Sequence, residues 1–379
     1  MKVIKFGSVA GNTIFPDKIK EARKSRGLSL AQLSELIGVS SQAISQYERG
    51  EIIPNPSVTL KIVEVLDFPI NFFTSKNENS LKDEVVYFRS NKNITKKLKE
   101  ACRIRIKWID NTYKMINKYF DLPQVNLPDF EKFDIDSIDL LKIEEITNSL
   151  RKYWGLGEYP IKNLIDVLQK NGFVVTKLKV GSKKIDGFST WVEETPYIFI
   201  GSDKGSAVRS RFDLAHELGH LILHRNLSKE EFEEEGDILE KQADMFASAL
   251  LLPREAFNSE MITSSIDSFI LLKKKWLVSI AAMIRRAQDT EMLTENQIRY
   301  LRSQMIKYGY YKKEPMDDTI SPERPYLFKQ AFDILLDNNI MSKEDILESI
   351  KLNREEAISL YSLRENFFDN RDNILMLVK

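Results

Sequence analysis

The sequence predicts a mainly α protein with a small β-sheet. Four regions succeed one another: an all-α domain over residues 1–75, a basic helical connector over 76–138, an α+β domain over 139–255 and a helical domain over 256–379. Three observations lead there. Apolar residues recur at three- and four-residue spacing through most of the chain. Short β-type runs gather between Phe173 and Ile200. Pro123 and Pro128 punctuate a linker between the basic run and the third region.

Composition narrows the class. The chain has 379 residues, 42% hydrophobic and 30% charged, enough for two or three cores of a globular protein. Lys plus Arg and Asp plus Glu both number 56, so the net charge is zero; local clustering, not the total, then decides whether nucleic acid is a partner. Cys102 is the only cysteine, which excludes an internal disulfide and a cysteine-based zinc cluster and suits a reducing compartment. No signal-peptide pattern and no membrane-spanning apolar stretch is seen, so a cytoplasmic protein is expected.

In the first region Pro16 suits a helix start and Gly27 a stop. Ser29 and Gln32 form a capping box opening a helix that ends at Gly38, and Ser40 caps another running to Arg49 and stopping at Gly50. Leu60, Val63 and Leu66 mark a further helix. Helix, tight turn at Gly38-Val39-Ser40, and helix make a helix-turn-helix, whose second helix enters the DNA major groove. Ala31, Leu33, Ile37, Val39, Ile44 and Tyr47 are its expected core. Ser41, Gln42, Ser45 and Gln46 then face outward, where Gln can read adenine and Ser several base edges. Arg49, Lys18, Lys20, Arg23 and Lys24 are candidates for phosphate contact. A helical bundle used only for protein contact fits the same pattern, and a net charge of +2 over Met1–Ser80 does not separate the two.

From Leu81 to Lys118 eleven basic residues face four acidic ones, and Ala101, Ile104, Trp108, Met115 and Tyr119 recur at helical spacing. One long amphipathic helix with a basic outer face is expected; it either touches phosphate or is a solvated face.

The third region opens with a helix marked by Ile143, Ile146, Leu150 and Tyr153 and another marked by Ile161, Leu164, Ile165 and Leu168. Strands are expected at Phe173–Leu178, Ile185–Trp191 and Tyr197–Ile200, then helices near Ser206–Arg225 and Asp237–Leu251. The first of these helices holds all three histidines of the chain. His216-Glu217-Leu218-Gly219-His220 is an HExxH motif. Residues four apart share a helix face, so two imidazoles can converge on one zinc ion while Glu217, beside them, serves as general base. Small Ala215 and Gly219 let a neighbour pack closely. A catalytic zinc needs a third ligand and an open position. His224 stands eight residues from His216, about 12 Å along a straight helix, and cannot join them unless the helix breaks. Glu240 on the next helix is the better candidate, with Asp244 on the same face. A Glu-x-x-x-Asp pair after HExxH is the gluzincin arrangement, in which the Glu binds zinc and the Asp orients a zinc-bound His. His216, His220 and Glu240 are therefore assigned as ligands, Glu217 as base and Asp244 as the orienting carboxylate.

These segments carry two family resemblances. Arg211 through His224 and Glu240 through Pro253, together with Pro160-Ile161 and Ile185 through Ser189, resemble the ImmA/IrrE family of zinc metallopeptidases. Gly38 through Gly50 resembles the XRE (Cro/repressor-like) domains. The first implies a minimal gluzincin-like fold, Zn²⁺ as cofactor and site-specific cleavage of a repressor or antitoxin-like protein. The second implies binding to a DNA operator, usually as a dimer. The alternative is an XRE-family transcription factor whose zincin domain is a sensor or structural unit. The region after Arg254 is helical, carries no chemical motif, and is a candidate sensor.

Overall fold

The structure, a computed structural model, describes residues 14–76, 86–88, 95–130, 133–178, 186–201 and 205–369. The chain forms two compact units. One gathers Met1–Lys82, Thr95–Phe120 and Phe328–Lys379; the other gathers Asp83–Ile94 and Asp121–Leu327.

The first unit begins with α1 (Pro16–Ser25), α2 (Leu30–Ile37), α3 (Ser41–Arg49), α4 (Pro56–Leu66) and α5 (Ile70–Phe73). Their ends are fixed locally. The Ser29 hydroxyl accepts from the Gln32 N–H while Gln32 Oε1 accepts from the Ser29 N–H, completing the capping box. Gly38 and Gly50 stop α2 and α3 in the left-handed region, with φ of 81° and 72°. Leu33, Ile37 and Ile44 are buried as expected, and Val39 and Tyr47 are half-buried. Ala31 is exposed instead. It stands two residues from Leu33, which on a helix turns it away from the Leu33–Ile37 face.

Next comes α6 (Lys96–Ile116), and here the expectation of a connector with a basic outer face is corrected. The helix is central to the first unit. It buries Ala101, Cys102, Ile104, Ile106, Trp108, Ile109, Asp110, Thr112 and Ile116. Phe68 and Phe72 pack edge-on to Trp108, with ring centroids 5.5 and 6.1 Å away. Two of its cations are paired inward, while Lys96 and Lys97 stay exposed: Lys107 Nζ lies 2.9 Å from Glu21 Oε2, and Arg105 3.4 Å from Glu356. Lys82, Arg89 and Lys92 of the basic run fall outside the described residues.

The second unit contains β1 (Val86–Phe88), α7 (Leu140–Tyr153), α8 (Leu164–Lys170), β2 (Val174–Leu178), β3 (Gly187–Val192), β4 (Thr195–Gly201) and α9 (Ala207–Leu223). Then come α10 (Lys229–Glu234), α11 (Gly236–Leu251), α12 (Arg254–Glu260), α13 (Ile266–Trp276), α14 (Ile280–Asp289) and α15 (Glu295–Lys307). The three expected strands form, although Ile185 lies outside the described residues. The sheet order is β1-β3-β4-β2. β3 and β4 make an antiparallel hairpin, β2 runs parallel to β4, and β1 adds antiparallel to β3 with Tyr87 opposite Ser189. This fourth strand comes from the expected connector and has no counterpart among the strands the sequence predicts.

One apolar core runs from Ile138 to Met305, and it takes in Phe257, Phe269, Trp276, Met283 and Leu301. The boundary expected at residue 255 is therefore corrected: α12–α15 belong to the same core as the HExxH helix. Burying each such side chain contributes about 1.5–3 kcal/mol. Arg286 on α14 donates to both Glu144 oxygens on α7 (2.5 and 3.0 Å) and to the Leu252 carbonyl (2.9 Å), locking three elements together.

The chain then returns to the first unit with α16 (Leu327–Asp337), α17 (Lys343–Ile350) and α18 (Arg354–Leu360). Glu356 pairs with Arg26 at 2.6 Å, and the buried Tyr361 hydroxyl meets Thr112 Oγ1 at 2.7 Å. The expected C-terminal domain is thus divided between the two units. Among the described residues, no helix is long and apolar enough to cross a membrane.

Candidate metal centre and nucleic-acid interface

α9 carries His216 and His220 one turn apart on its buried face, and α11 brings Glu240 against them. Small residues set that approach. A Cβ on Gly219 would lie 3.1 Å from the Phe246 ring of α11, tighter than ordinary contact. His216 Nε2 and His220 Nε2 are 3.1 Å apart, and the Glu240 oxygens lie 3.6 and 3.5 Å from them. Two nitrogens bound tetrahedrally at about 2.0–2.1 Å would be about 3.3–3.4 Å apart. The spacings straddle that value, and all three donor atoms fall within 4.8 Å of one another. The donor set fits zinc, with two imidazoles and a carboxylate and one side left to solvent. Both histidines are fully buried and Glu240 is partly exposed.

The supporting shell is ordered. Asp244 Oδ1 lies 2.7 Å from His216 Nδ1, so this carboxylate fixes the ring from behind, as the sequence suggested. His224 caps the end of α9. Its Nδ1 lies 2.9 Å from His220 Nδ1 and its Nε2 3.0 Å from Gln242 Oε1, so it supports His220 and does not face the ligand cluster. Burial, and then the neighbouring His220, press the His224 pKa well below the ordinary histidine value.

Glu217 is fully buried. Its Oε2 accepts from Ser189 Oγ at 2.7 Å, and the space beside its Oε1 exists because residue 187 is glycine: a Cβ there would stand 2.8 Å from that oxygen. Hence β3 shapes the pocket of Glu217 and aims its carboxylate. In the sequence, Gly187 and Ser189 stand only within a family resemblance, with no role of their own. Gln242 is likewise absent from the sequence-predicted site, although a signal for it exists. Leu239, Gln242, Ala243 and Phe246 share one face of α11, and a lone polar residue on an apolar face calls for a partner. Open space flanks α9. A cleft of about 820 Å³ is lined by Asp186, Ser206, Arg209, Phe212 and Asp317 among others, and a second of about 450 Å³ by Phe212, Lys241, Asp244 and Met245.

On α3, Ser41, Gln42 and Arg49 are exposed, while Ser45 and Gln46 are half-buried. Ser41 Oγ is 3.0 Å from Ser34 Oγ, and the Arg49 guanidinium donates to Glu51 (2.6 and 2.9 Å) and Ser45 (2.9 Å). Two phosphate-contact candidates are corrected. Lys18 is buried beside Glu21, and Arg23 is buried with both Glu48 oxygens at 2.6 and 2.8 Å. They hold the fold. Lys24 pairs with Glu100 at 2.6 Å, and Lys20 remains exposed.

The elements and the site together define a two-part protein: a helix-turn-helix unit on the same chain as a His-His-Glu metallopeptidase-type unit. Comparison with known proteins agrees. Residues 168–288 match the peptidase family described as the IrrE N-terminal-like domain, and residues 19–73 match the family described as helix-turn-helix. The chain thus carries an ImmA/IrrE-type domain joined to an XRE-type helix-turn-helix domain. Similar proteins include an HTH-type transcriptional regulatory protein of Methanocaldococcus jannaschii, 44% identical over 52 residues (14% of this chain, 16% of that one). Antitoxin MqsA of Escherichia coli K12 is 40% identical over 60 residues (16% of this chain, 45% of that one). Another HTH-type regulatory protein, from Pyrococcus furiosus, is 32% identical over 66 residues (16% of this chain, 21% of that one). The matches span less than half of each relative's length.

Proposed function

We propose that this chain is a DNA-binding regulator whose second unit is a zinc-dependent endopeptidase, cleaving a repressor or antitoxin-like protein at a specific site in the cytoplasm. The observation that carries the reading is Glu217: buried, aimed by Ser189 and set beside His216, His220 and Glu240. A purely structural site has no use for a carboxylate there. The regulatory half of the reading rests on the helix-turn-helix match and on relatives described as transcriptional regulators and an antitoxin.

Zinc, when bound by His216, His220 and Glu240, supplies Lewis-acid polarisation of the scissile carbonyl and lowers the pKa of water. Glu217 does the proton work. Its carboxylate takes a proton from the attacking water and returns it to the leaving amine, so the C–N bond breaks with protons balanced. Asp244 holds His216 in the tautomer that offers Nε2. On the other unit, Gln42 and Gln46 of α3 read the operator, with Ser41, Ser45 and Arg49 nearby, and the two-fold symmetry of operators favours a homodimer.

The test compares protein N-termini in cells expressing the wild type and Glu217→Gln. The substitution keeps the side-chain shape and the Ser189 hydrogen bond while removing the base, so zinc content stays and cleavage falls by about 10²–10⁴-fold. New termini in the wild type alone, at one bond of one regulator, support the peptidase. Equal cleavage by both proteins sinks the assignment of Glu217 as base, and no cleavage by either favours a transcription factor with a sensory zincin domain.

A further inference from the structure

Two side chains that the cleavage reaction leaves idle, His224 and Gln242, form one hydrogen-bonded line with the ligand His220. Gln242 anchors it. Its Nε2 lies 2.8 Å from the Ile135 carbonyl oxygen and 3.1 Å from that of Ile138. Carbonyl oxygens only accept, so this atom is the NH₂ group and the other amide atom is the oxygen. That oxygen is 3.0 Å from His224 Nε2, which must therefore carry a proton. His224 Nδ1 faces His220 Nδ1 at 2.9 Å, and two N–H groups cannot face each other at that distance. A metal on His220 Nε2 requires the proton on His220 Nδ1, so His224 Nδ1 is the acceptor. Every link then has one polarity, set by two backbone carbonyls just before α7. All three side chains are buried, so water does not compete for the bonds.

We propose that Gln242 and His224 are positioning residues that fix the tautomer and ring orientation of His220, the counterpart of what Asp244 does for His216. The inference rests on the metal reading above. The two supports differ in chemistry. His216 faces a carboxylate, half-exposed at 51%, whereas His220 faces a neutral imidazole in a dry line. The His220 side therefore depends on the correct assembly of the whole line, and a change at Gln242, on another helix, reaches the ligand without touching it.

The experiment uses the full chain. Zn²⁺ affinity is read by competition with a chromophoric chelator, and histidine tautomers in the zinc-free protein by long-range ¹H–¹⁵N correlation. His224→Leu removes the acceptor and is expected to weaken zinc about 10–100-fold and to let His220 populate the Nε2–H tautomer. His224→Gln is expected to restore both, because its amide oxygen accepts from His220 Nδ1–H while its NH₂ donates to Gln242. Wild-type affinity and an unchanged His220 tautomer in His224→Leu would overturn the inference. If that variant does not fold, Gln242→Met carries the test: a His220 tautomer and zinc affinity equal to wild type overturn it in the same way. His216→Leu and Glu240→Gln separate the two readings. If they leave zinc affinity untouched, the metal reading itself fails. If they abolish it while His224→Leu does not weaken it, only the positioning role fails.

Discussion

Replacing Arg286 with Met tests whether α12–α15 are part of the unit that holds the HExxH helix. Arg286 has no exposed surface, and its guanidinium makes three hydrogen bonds, two to Glu144 on α7 and one to the Leu252 carbonyl at the end of α11. Methionine fills much of the volume but leaves Glu144, only 7% exposed, as a carboxylate without a counter-charge. Breaking a buried pair from one side costs about 3–5 kcal/mol. The stranded Leu252 carbonyl adds to this, but the site relaxes as a unit, so about 5 kcal/mol is the ceiling. In urea this moves the midpoint down by about 1–2 M. The double variant Glu144→Met/Arg286→Met removes both charges, and a buried pair exchanged for apolar side chains is commonly neutral or better. It should recover most of the loss, falling about 1 kcal/mol short because Leu252 still lacks its donor. Trp154, Trp191 and Trp276 lie in this unit and report its unfolding by fluorescence. A single variant within about 0.5 kcal/mol of wild type would refute the reasoning, since that is the range of surface changes. So would a double variant no better than the single one.

Stripping zinc with a chelator should lower the thermal midpoint of the second unit alone. An ion present at a thousand times its Kd contributes about 4 kcal/mol. At about 2–4 °C per kcal/mol for a unit of this size, calorimetry should record a fall of about 8–16 °C. Glu240→Ala should show little further loss, and an equal chelator effect in that variant would place the ion elsewhere. Gly187→Ala forces a methyl to within 2.8 Å of Glu217 Oε1. It should cost about 1–3 kcal/mol in stability and displace the base by a fraction of an ångström, cutting cleavage far more than zinc affinity. Unchanged turnover would mean Glu217 is not held by β3. In titrations across several salt concentrations, Gln42→Ala or Gln46→Ala should weaken operator binding by about 1–3 kcal/mol with the salt slope kept. Arg23→Ala should instead lower thermal stability, because its charge is spent on Glu48.

The gathering of His216, His220 and Glu240 was legible because HExxH and the later Glu-Asp pair are local patterns: four-residue spacing on a helix puts side chains together whatever the rest of the fold does. Capping signals at Ser29, Gly38, Ser40 and Gly50 were legible for the same reason. Long-range choices were not. Periodicity says that α6 has an apolar face but not which core receives it, so a central helix looked like a solvated connector. Arg23 looked like a phosphate contact because its partner Glu48 depends on how α1 meets α3, and Lys18 because its burial depends on how α1 meets α6. β1 has only three residues, and its partner strand lies about a hundred positions later, leaving no alternation to detect. Gln242 hid as an unspecified position between two recognised acidic residues.

The interleaving of the two units has a consequence for biosynthesis. Thr112 must wait for Tyr361, 249 residues later, and Arg26 for Glu356. At a synthesis rate of about 5–20 residues per second, that first delay is about 12–50 seconds. The second unit needs nothing beyond Leu327 and can close while the ribosome is still adding α16–α18. The middle of the chain is therefore finished before its beginning. Until the last helices emerge, the nascent helix-turn-helix unit keeps part of the α6 face uncovered, an opening for chaperones or for premature partners that the mature protein no longer offers.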